Sequence, residues 1–141
     1  MVEIARYHAK YIENIQFVFG DASNLPYEDS SIDFIVSTGF FTPLKKPIKI
    51  FDECYRVLKR GKEAWIYDGC SDALKVGADK ARKEYGLLSY MILTKLTELH
   101  GFTNEEYESK IKDTLDQTKF KDSYRMELID MWMKITLTKV R

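Results

Sequence analysis

Hydrophobic positions at the start of the chain have helical spacing, and short continuous apolar runs follow. In segment 2–12 the apolar residues fall at i, i+3, i+7 and i+10, which predicts a helix with one buried face. These residues are Val2, Ala5, Ala9 and Ile12. The runs IQFVF (15–19) and IDFIVS (32–37) each predict a buried strand. Between them, DASNLPYEDSS is rich in Asp, Asn, Ser and Pro and predicts a loop.

The same alternation of helix and strand continues in the middle of the chain. Pro47 predicts a helix start, because its missing N–H costs nothing there, and Gly61 is expected to end the helix. A third buried strand, AWIYDG, is predicted over 64–69. The apolar stripe of the helix is predicted at Ile48, Phe51, Tyr55 and Leu58. This order indicates parallel strands joined by crossover helices, in a single α/β domain over 1–141.

The last third of the chain predicts two helical segments and a hairpin. Residues 71–99 are expected to be mostly helical, with weak points at Gly77 and Gly86. Thr103 and Glu106 have the spacing of a capping box in front of a further helix. Apolar and polar residues alternate near the C-terminus, which predicts an antiparallel strand pair with a turn near Asp130.

The residues beside the capping box predict how the following helix packs. Phe102 and Tyr107 are placed for a hydrophobic staple. Tyr107, Ile111 and Leu115 recur every four residues and predict one buried face.

Composition narrows the class of protein. The 22 basic and 22 acidic side chains balance, so charge favours neither nucleic acid nor a membrane surface as a partner. No apolar run approaches the roughly 20 residues that span a bilayer. No signal peptide is expected, because Met1 leads directly into charged helical sequence. Cys54 and Cys70 lack CxxC spacing, so free thiols, a cytoplasmic location and no metal site are predicted.

Four short motifs follow one another in a fixed order: GDA (20–22), LPY (25–27), SID (31–33) and RVLK (56–59). In this order and spacing they resemble the Rossmann-like class I methyltransferases that use S-adenosylmethionine, in the branch that acts on small molecules. The resemblance covers about residues 1–69. It implies a partial Rossmann-like methyltransferase sheet closed by the C-terminal antiparallel pair, with S-adenosylmethionine as cofactor and a small molecule as methyl acceptor.

The resemblance also implies which residues bind the cofactor. Asp21 corresponds to the adenine ligand, since a carboxylate at the carboxyl end of a parallel strand lies in the crevice where open α/β sheets bind ligands. The simpler alternative is that Asp21 caps the turn that follows it. The other implied cofactor-binding residues are Ala22, Ser37, Thr38, Gly39 and Phe40. Phe40 is equally well explained as an ordinary core or lid residue.

Other polar residues are assigned structural roles or none. Glu53 and Arg56, at i and i+3, are expected to form a surface ion pair. Cys54 is expected to be a small core residue. Because the cofactor carries the chemistry of methyl transfer, no catalytic acid or base is predicted, and His8 and His100 have no assigned role.

The spacing of the glycines bears on activity. The seven glycines lie at least eight positions apart, so the 141 residues contain no GxG. In the resembled family, a glycine-rich turn and an acidic residue that holds the ribose precede the helix that starts this chain. The resemblance therefore implies a truncated domain without the family's first two strands, which binds the cofactor weakly and is impaired as an enzyme.

A sheet without those strands has bare edges, and this favours a homodimer. Three other interpretations remain open at this point. The chain is one half of a split methyltransferase with a complementing chain, or a non-catalytic binding or dimerisation module, or the product of a misplaced start codon or a cloned fragment.

Overall fold

The computed structural model describes residues 2–38, 45–72, 82–84, 86–130 and 132–140. The prediction for Gly77 lies outside the described residues. In chain order the elements are α1 (Val2–His8), β1 (Ile32–Thr38), α2 (Pro47–Val57), β2 (Leu58–Gly69), α3 (Leu87–His100), α4 (Asn104–Glu106, a π-helical turn Tyr107–Ile111, and Lys112–Asp116), β3 (Tyr124–Ile129) and β4 (Trp132–Thr138).

One four-stranded sheet organises the described residues, in the order β1-β2-β4-β3. β1 and β2 are parallel and joined through α2, whereas β4 is antiparallel to both of its neighbours. The predicted α/β class, with its C-terminal antiparallel pair, is confirmed. Asp130 lies at the predicted hairpin turn with φ of 53°. The alternating residues Met133, Ile135 and Leu137 are buried, as the pattern predicted.

The core lies between one face of the sheet and the helices α2 and α4. The predicted capping box begins α4: the Glu106 N–H donates to Thr103 Oγ1 (3.2 Å) and the Thr103 N–H to Glu106 Oε2 (3.0 Å). The staple is confirmed too, since the rings of Phe102 and Tyr107 meet edge to face at 5.7 Å. The predicted buried face of this helix is confirmed, because Tyr107, Ile111 and Leu115 are all buried.

The N-terminal predictions are wrong in two respects. Residues 15–19 form no strand, and Ile15, Val18 and Phe19 are exposed. A strand requires a neighbouring strand for its backbone hydrogen bonds, and within the described residues this segment has none. α1 ends at His8 and buries no residue, and Ile12 is 49% exposed rather than buried.

β1 and α2 also depart from their predictions. β1 is an edge strand with Phe34 and Val36 exposed, so it is not buried. Ile48 is 36% exposed, and the buried face of α2 comprises Ile50, Phe51, Cys54 and Val57. Leu58, expected in the helix, already belongs to β2.

The predicted helix stop at Gly61 is likewise wrong, because α2 ends four residues earlier. Gly61 lies in β2 with φ of 74°, in the left-handed region that favours glycine. The earlier end has a physical cause: the Ser30 and Ser31 N–H groups donate to the carbonyls of Arg56 and Val57, each at 2.9 Å. Carbonyls at a helix C-terminus have no partner within the helix, so these contacts satisfy them.

A buried lysine completes this helix end. Lys139, only 8% exposed, donates from Nζ to the carbonyls of Leu58 (2.7 Å) and Arg56 (3.3 Å) and to Ser30 Oγ (3.0 Å). Its ammonium also lies 5.1 Å from the ring centroid of Tyr55. A cation is favoured at a helix C-terminus, where the helix dipole is negative. Lys139 therefore joins the end of β4, the end of α2 and the segment before β1.

Replacing this ammonium tests its contribution to stability. We expect Lys139→Met to lower the free energy of unfolding by about 1–3 kcal/mol, because the buried Leu58 carbonyl loses the ammonium donor and the Arg56 carbonyl keeps only the Ser30 N–H. Urea denaturation measures the difference. Lys121→Met, which removes an exposed lysine, is the control and should change stability by less than about 0.5 kcal/mol. Equal effects of the two substitutions would contradict the role given to Lys139.

Candidate functional site

Residues 21–31, which we call the strap, run along α2 in the opposite direction to the helix. Ser30 and Ser31, at the end of the strap, bond to the C-terminus of α2. In the middle, the Leu25 N–H donates to Glu53 Oε1 at 2.8 Å. At the start, Asp21 experiences the charges of Lys46 and Lys49, which stand at the N-terminus of α2. The strap therefore carries the chain from one end of α2 to the other.

Glu53 and Arg56 fasten the strap to the helix. Arg56 donates through Nε and Nη2 to the two carboxylate oxygens of Glu53, at 3.0 and 2.7 Å. It also donates to the Leu25 carbonyl (3.1 Å) and to Asp29 Oδ1 (2.7 Å). The prediction of a simple surface pair is wrong, because Glu53 has only 13% of its side chain exposed and both residues bind the strap. Bidentate pairs of this kind fix geometry as well as energy.

Glu53 and Arg56 together form what we call the clamp, and their contacts determine the direction in which each pKa is shifted. The pKa of Glu53 is held below its usual value, first by the hydrogen bond from Arg56 and then, against partial burial, by the Leu25 N–H. The pKa of Arg56 is raised, chiefly by Glu53 and Asp29. Both groups are therefore charged in the folded protein across the physiological range.

Asp21 lies in a tight turn at the start of the strap. Its Oδ1 accepts a hydrogen bond from the Ser23 N–H at 2.8 Å, and the Asn24 N–H donates to the Asp21 carbonyl at 2.9 Å. The turn-capping alternative thus corresponds to an observed contact. The pKa of Asp21 is lowered, first by the Ser23 backbone, then by the Ser23 hydroxyl, and more weakly by Lys49 and Lys46. A carboxylate has about four acceptor positions, so capping leaves capacity for a ligand donor.

The strap brings Asp21 to the carboxyl end of β1. In a strand-helix-strand unit the helix begins beyond the carboxyl end of the first strand, and Lys46 and Lys49 mark that end of α2. Ser37 and Thr38 are the last two residues of β1 and so lie at this same end of the strand. Among the described residues, no hydrogen bond joins Asp21 to either of them.

The structure describes only some of the remaining residues that were predicted to bind the cofactor. Ala22 is exposed beside Asp21, whereas Gly39 and Phe40 lie outside the described residues. Asp21 suits the amino group of an adenine, because it is ionised, held in a fixed turn and able to accept further hydrogen bonds. Assignment of cofactor contacts to Asp21, Ala22, Ser37 and Thr38 stays a prediction. No cluster of three potential metal ligands is found within the described ranges.

Asp68 is a residue that the sequence reasoning missed. It lies at the carboxyl end of β2, beside the Thr38–Tyr67 pair, and is only 7% exposed. Its Oδ1 accepts from the Gly69 N–H at 2.9 Å, and the Tyr107 hydroxyl donates to the Gly69 carbonyl at 3.0 Å. Burial raises the pKa of Tyr107, with a smaller contribution from Asp68. The available signal was an Asp next to a Gly at the end of a predicted strand, as in the AWIYDG segment, but burial is not visible in sequence.

Cys54 is the core residue that was predicted. It is 6% exposed, and burial raises the pKa of its thiol to about 11, which removes it as a nucleophile near neutral pH. Cys70 is buried as well, and both thiols are free. Along the described part of the chain, no helix is both long and apolar enough to cross a membrane.

The known proteins to which this chain is similar are methyltransferases. Residues 1–66 match a family model described as a methyltransferase domain. The chain is 28% identical over 116 residues to a demethylmenaquinone methyltransferase of Staphylococcus haemolyticus, covering 82% of this chain and 47% of that protein. The enzyme of the same name from Staphylococcus aureus strain MRSA252 is 26% identical over all 141 residues, which cover 55% of it. The chain thus spans about half the length of the curated relatives it matches.

Solved structures show the same fold. A Methanococcus maripaludis protein assigned as an S-adenosyl-L-methionine-dependent methyltransferase superposes with a TM-score of 0.70 at 25% identity, over 99% of this chain and 61% of that one. A SAM-dependent methyltransferase from Aquifex aeolicus gives a TM-score of 0.62 at 18% identity, over 99% of this chain and 63% of that one, which supports the fold alone.

Neutralising Glu53 tests the clamp. We expect Glu53→Gln to lower the free energy of unfolding at pH 7 by about 1–3 kcal/mol, because a partly buried guanidinium loses its ionised partner. Since the folded pKa of Glu53 lies below the unfolded one, its contribution is present above the unfolded pKa and is lost as pH falls through the folded pKa. Urea titrations from pH 7 down to about pH 3 should therefore show the two proteins converging.

Lys112→Met provides the control for this prediction. It breaks the more exposed helical pair with Asp116, which has the same 2.7 Å separation, and should cost less than about 1 kcal/mol. A difference between native and Glu53→Gln that persists unchanged at low pH would contradict the ionic role of Glu53.

Proposed function

We propose that the chain is a member of the class I, Rossmann-like family of S-adenosylmethionine-dependent methyltransferases and forms the adenine side of a methyl-donor site for a small-molecule acceptor, which its likeness to methyltransferases supports. The observation that carries the proposal is the strap. It is fastened to α2 by Glu53 and Arg56, and it presents an ionised, preformed Asp21 turn at the carboxyl end of β1. Ligands of open α/β sheets bind at this end.

Each residue of the proposed site has a role that follows from its position. Asp21 accepts a hydrogen bond from the adenine amino group, while Ala22 leaves room for the ring because its side chain ends at Cβ. Ser37 and Thr38, at the end of β1, face the methionine portion of the cofactor. When bound, S-adenosylmethionine supplies an activated methyl group on a sulfonium. The chain's own contribution is to hold, orient and shield the reactants, which is the main role of the protein in this type of reaction.

Affinity for the cofactor is proposed to be weak for these 141 residues alone. They contain no GxG turn, and the family resemblance assigns the ribose and the methionine carboxylate to that turn and to an acidic residue that follows it, at the end of the family's second strand. The adenine side by itself offers few hydrogen bonds, so a dissociation constant weaker than about 10 µM is expected. Methyl transfer by the chain alone is proposed to be correspondingly slow or absent.

The acceptor is proposed to be a small molecule, in keeping with the curated relatives, whose names specify demethylmenaquinone. Demethylmenaquinone, chemically reduced to its quinol before the assay, is therefore the first acceptor to test. Its hydroxyl-bearing ring supplies the nucleophile, and the proton released on methyl transfer passes to solvent or to a nearby base.

Titration with S-adenosylhomocysteine, followed by amide NMR shifts, tests the site without requiring activity. We expect shifts centred on residues 21–24 and 37–38, with a dissociation constant weaker than about 10 µM. Asp21→Asn should weaken binding at least about tenfold. Asn retains the turn cap through Oδ1, but it then directs NH₂ donors at the adenine amino group.

Asp113→Asn neutralises an exposed aspartate on α4 and should bind like the native chain. Unchanged affinity of Asp21→Asn would refute the role of Asp21. A dissociation constant of the native chain tighter than about 10 µM would instead refute the proposed weakness while leaving the site in place.

A further inference from the structure

Ser23 is the one buried residue of the strap, all of which the structure describes. It is 7% exposed, whereas Ala22 and Asn24 on either side of it are exposed. Serine is mostly found at protein surfaces, and a buried hydroxyl in a native protein usually has a hydrogen-bond partner. The contacts of Ser23 therefore indicate what this residue does in the strap.

Ser23 binds the Asp21 carboxylate through both its backbone and its side chain. Its N–H donates to Asp21 Oδ1 at 2.8 Å. Its hydroxyl also hydrogen-bonds this carboxylate, and these two contacts are the main reason that the pKa of Asp21 is lowered. The charges of Lys49 and Lys46 lower that pKa less. The ionised side chain of Asp21 is thus held chiefly by one neighbour two positions along the chain.

These two contacts restrict the conformation of the Asp21 side chain. A side chain in an exposed turn can occupy about three staggered rotamers around its first torsion. The donors of Ser23 favour the rotamer in which Oδ1 meets the Ser23 N–H, and the remaining acceptor positions of the carboxylate then point in one direction. A binding residue that is already in its bound conformation loses less affinity to ordering when the ligand arrives.

We propose that Ser23 is a positioning residue of the methyl-donor site, which holds the Asp21 carboxylate in the orientation that accepts the adenine amino group. This inference rests on the proposed function, because the adenine of the cofactor is the ligand assigned to Asp21. Ser23 acts through Asp21 and does not itself touch the cofactor. Its hydroxyl can be removed while the backbone contact that closes the turn is kept.

Ser23→Ala tests the role of the hydroxyl in the whole chain. The N–H contact remains, so the fold should be unchanged, which the amide NMR spectrum checks. In the chain without ligand, NMR titration of the side-chain carboxyl should show the pKa of Asp21 rising toward its usual value, because the ionised form loses a donor. Binding of S-adenosylhomocysteine should weaken at least about threefold, as expected when one rotamer in three is competent.

Ser31→Ala is the matched control within the strap. The Ser31 hydroxyl donates to the Glu28 carbonyl at 2.7 Å and not to Asp21. This variant should leave the pKa of Asp21 unchanged and alter the affinity for S-adenosylhomocysteine by less than about twofold. A double-mutant cycle shows whether Ser23 acts through Asp21: when residue 21 is already Asn, Ser23→Ala should weaken binding by less than about twofold.

The outcomes separate the role of Ser23 from the proposed function. Native affinity of Asp21→Asn would refute the role of Asp21 and the role of Ser23 with it. Weaker binding by Asp21→Asn but not by Ser23→Ala would refute the role of Ser23 alone, as would an unchanged pKa of Asp21 in Ser23→Ala. An equal loss of affinity in Ser31→Ala, or a full threefold loss in the Asp21→Asn background, would show a general effect on the strap and would also refute it.

Discussion

Arg56 binds its own helix and the strap at the same time, and the position of the candidate site depends on this contact. The guanidinium is paired with Glu53 one turn earlier, and it also holds the Leu25 carbonyl and Asp29 of the strap. Because the strap is fixed along α2, its start lies at the carboxyl end of β1 and its end leads directly into β1. The Arg56 side chain thereby fixes the position of the Asp21 turn relative to the helix and the sheet.

Features that depend on neighbours in sequence could be predicted well. The capping box at Thr103 and the hairpin around Asp130 are formed by residues a few positions apart, so their signals are complete in the local sequence. The segment 15–19 fails for the opposite reason. Its apolar composition suits a strand, but a strand forms only where another strand supplies hydrogen bonds, and composition says nothing of that partner.

The candidate site, too, could be predicted where its signals are local in sequence and not where it depends on contacts between distant residues. The motif order located Asp21, Ser37 and Thr38, and the βαβ order explains why the N-terminus of α2, where Asp21 lies, is at the carboxyl end of β1, where Ser37 and Thr38 lie. The role of Glu53 and Arg56 in holding the strap could not be predicted from their i, i+3 spacing. The Leu25 backbone that they bind lies 28 positions away from Glu53. Asp68 was missed since burial depends on contacts with residues distant in sequence, such as the one between Tyr107 and the neighbouring Gly69, which lie 38 positions apart.

The contact between Lys139 and the end of α2 has a kinetic consequence. Lys139 and Leu58 are separated by 81 positions, whereas the strap and α2 are joined across 28. Closing the longer loop costs more chain entropy, so the strap and helix are expected to associate before Lys139 docks. Loss of the lysine should then accelerate unfolding while leaving the refolding rate nearly unchanged, which stopped-flow measurements in urea can distinguish.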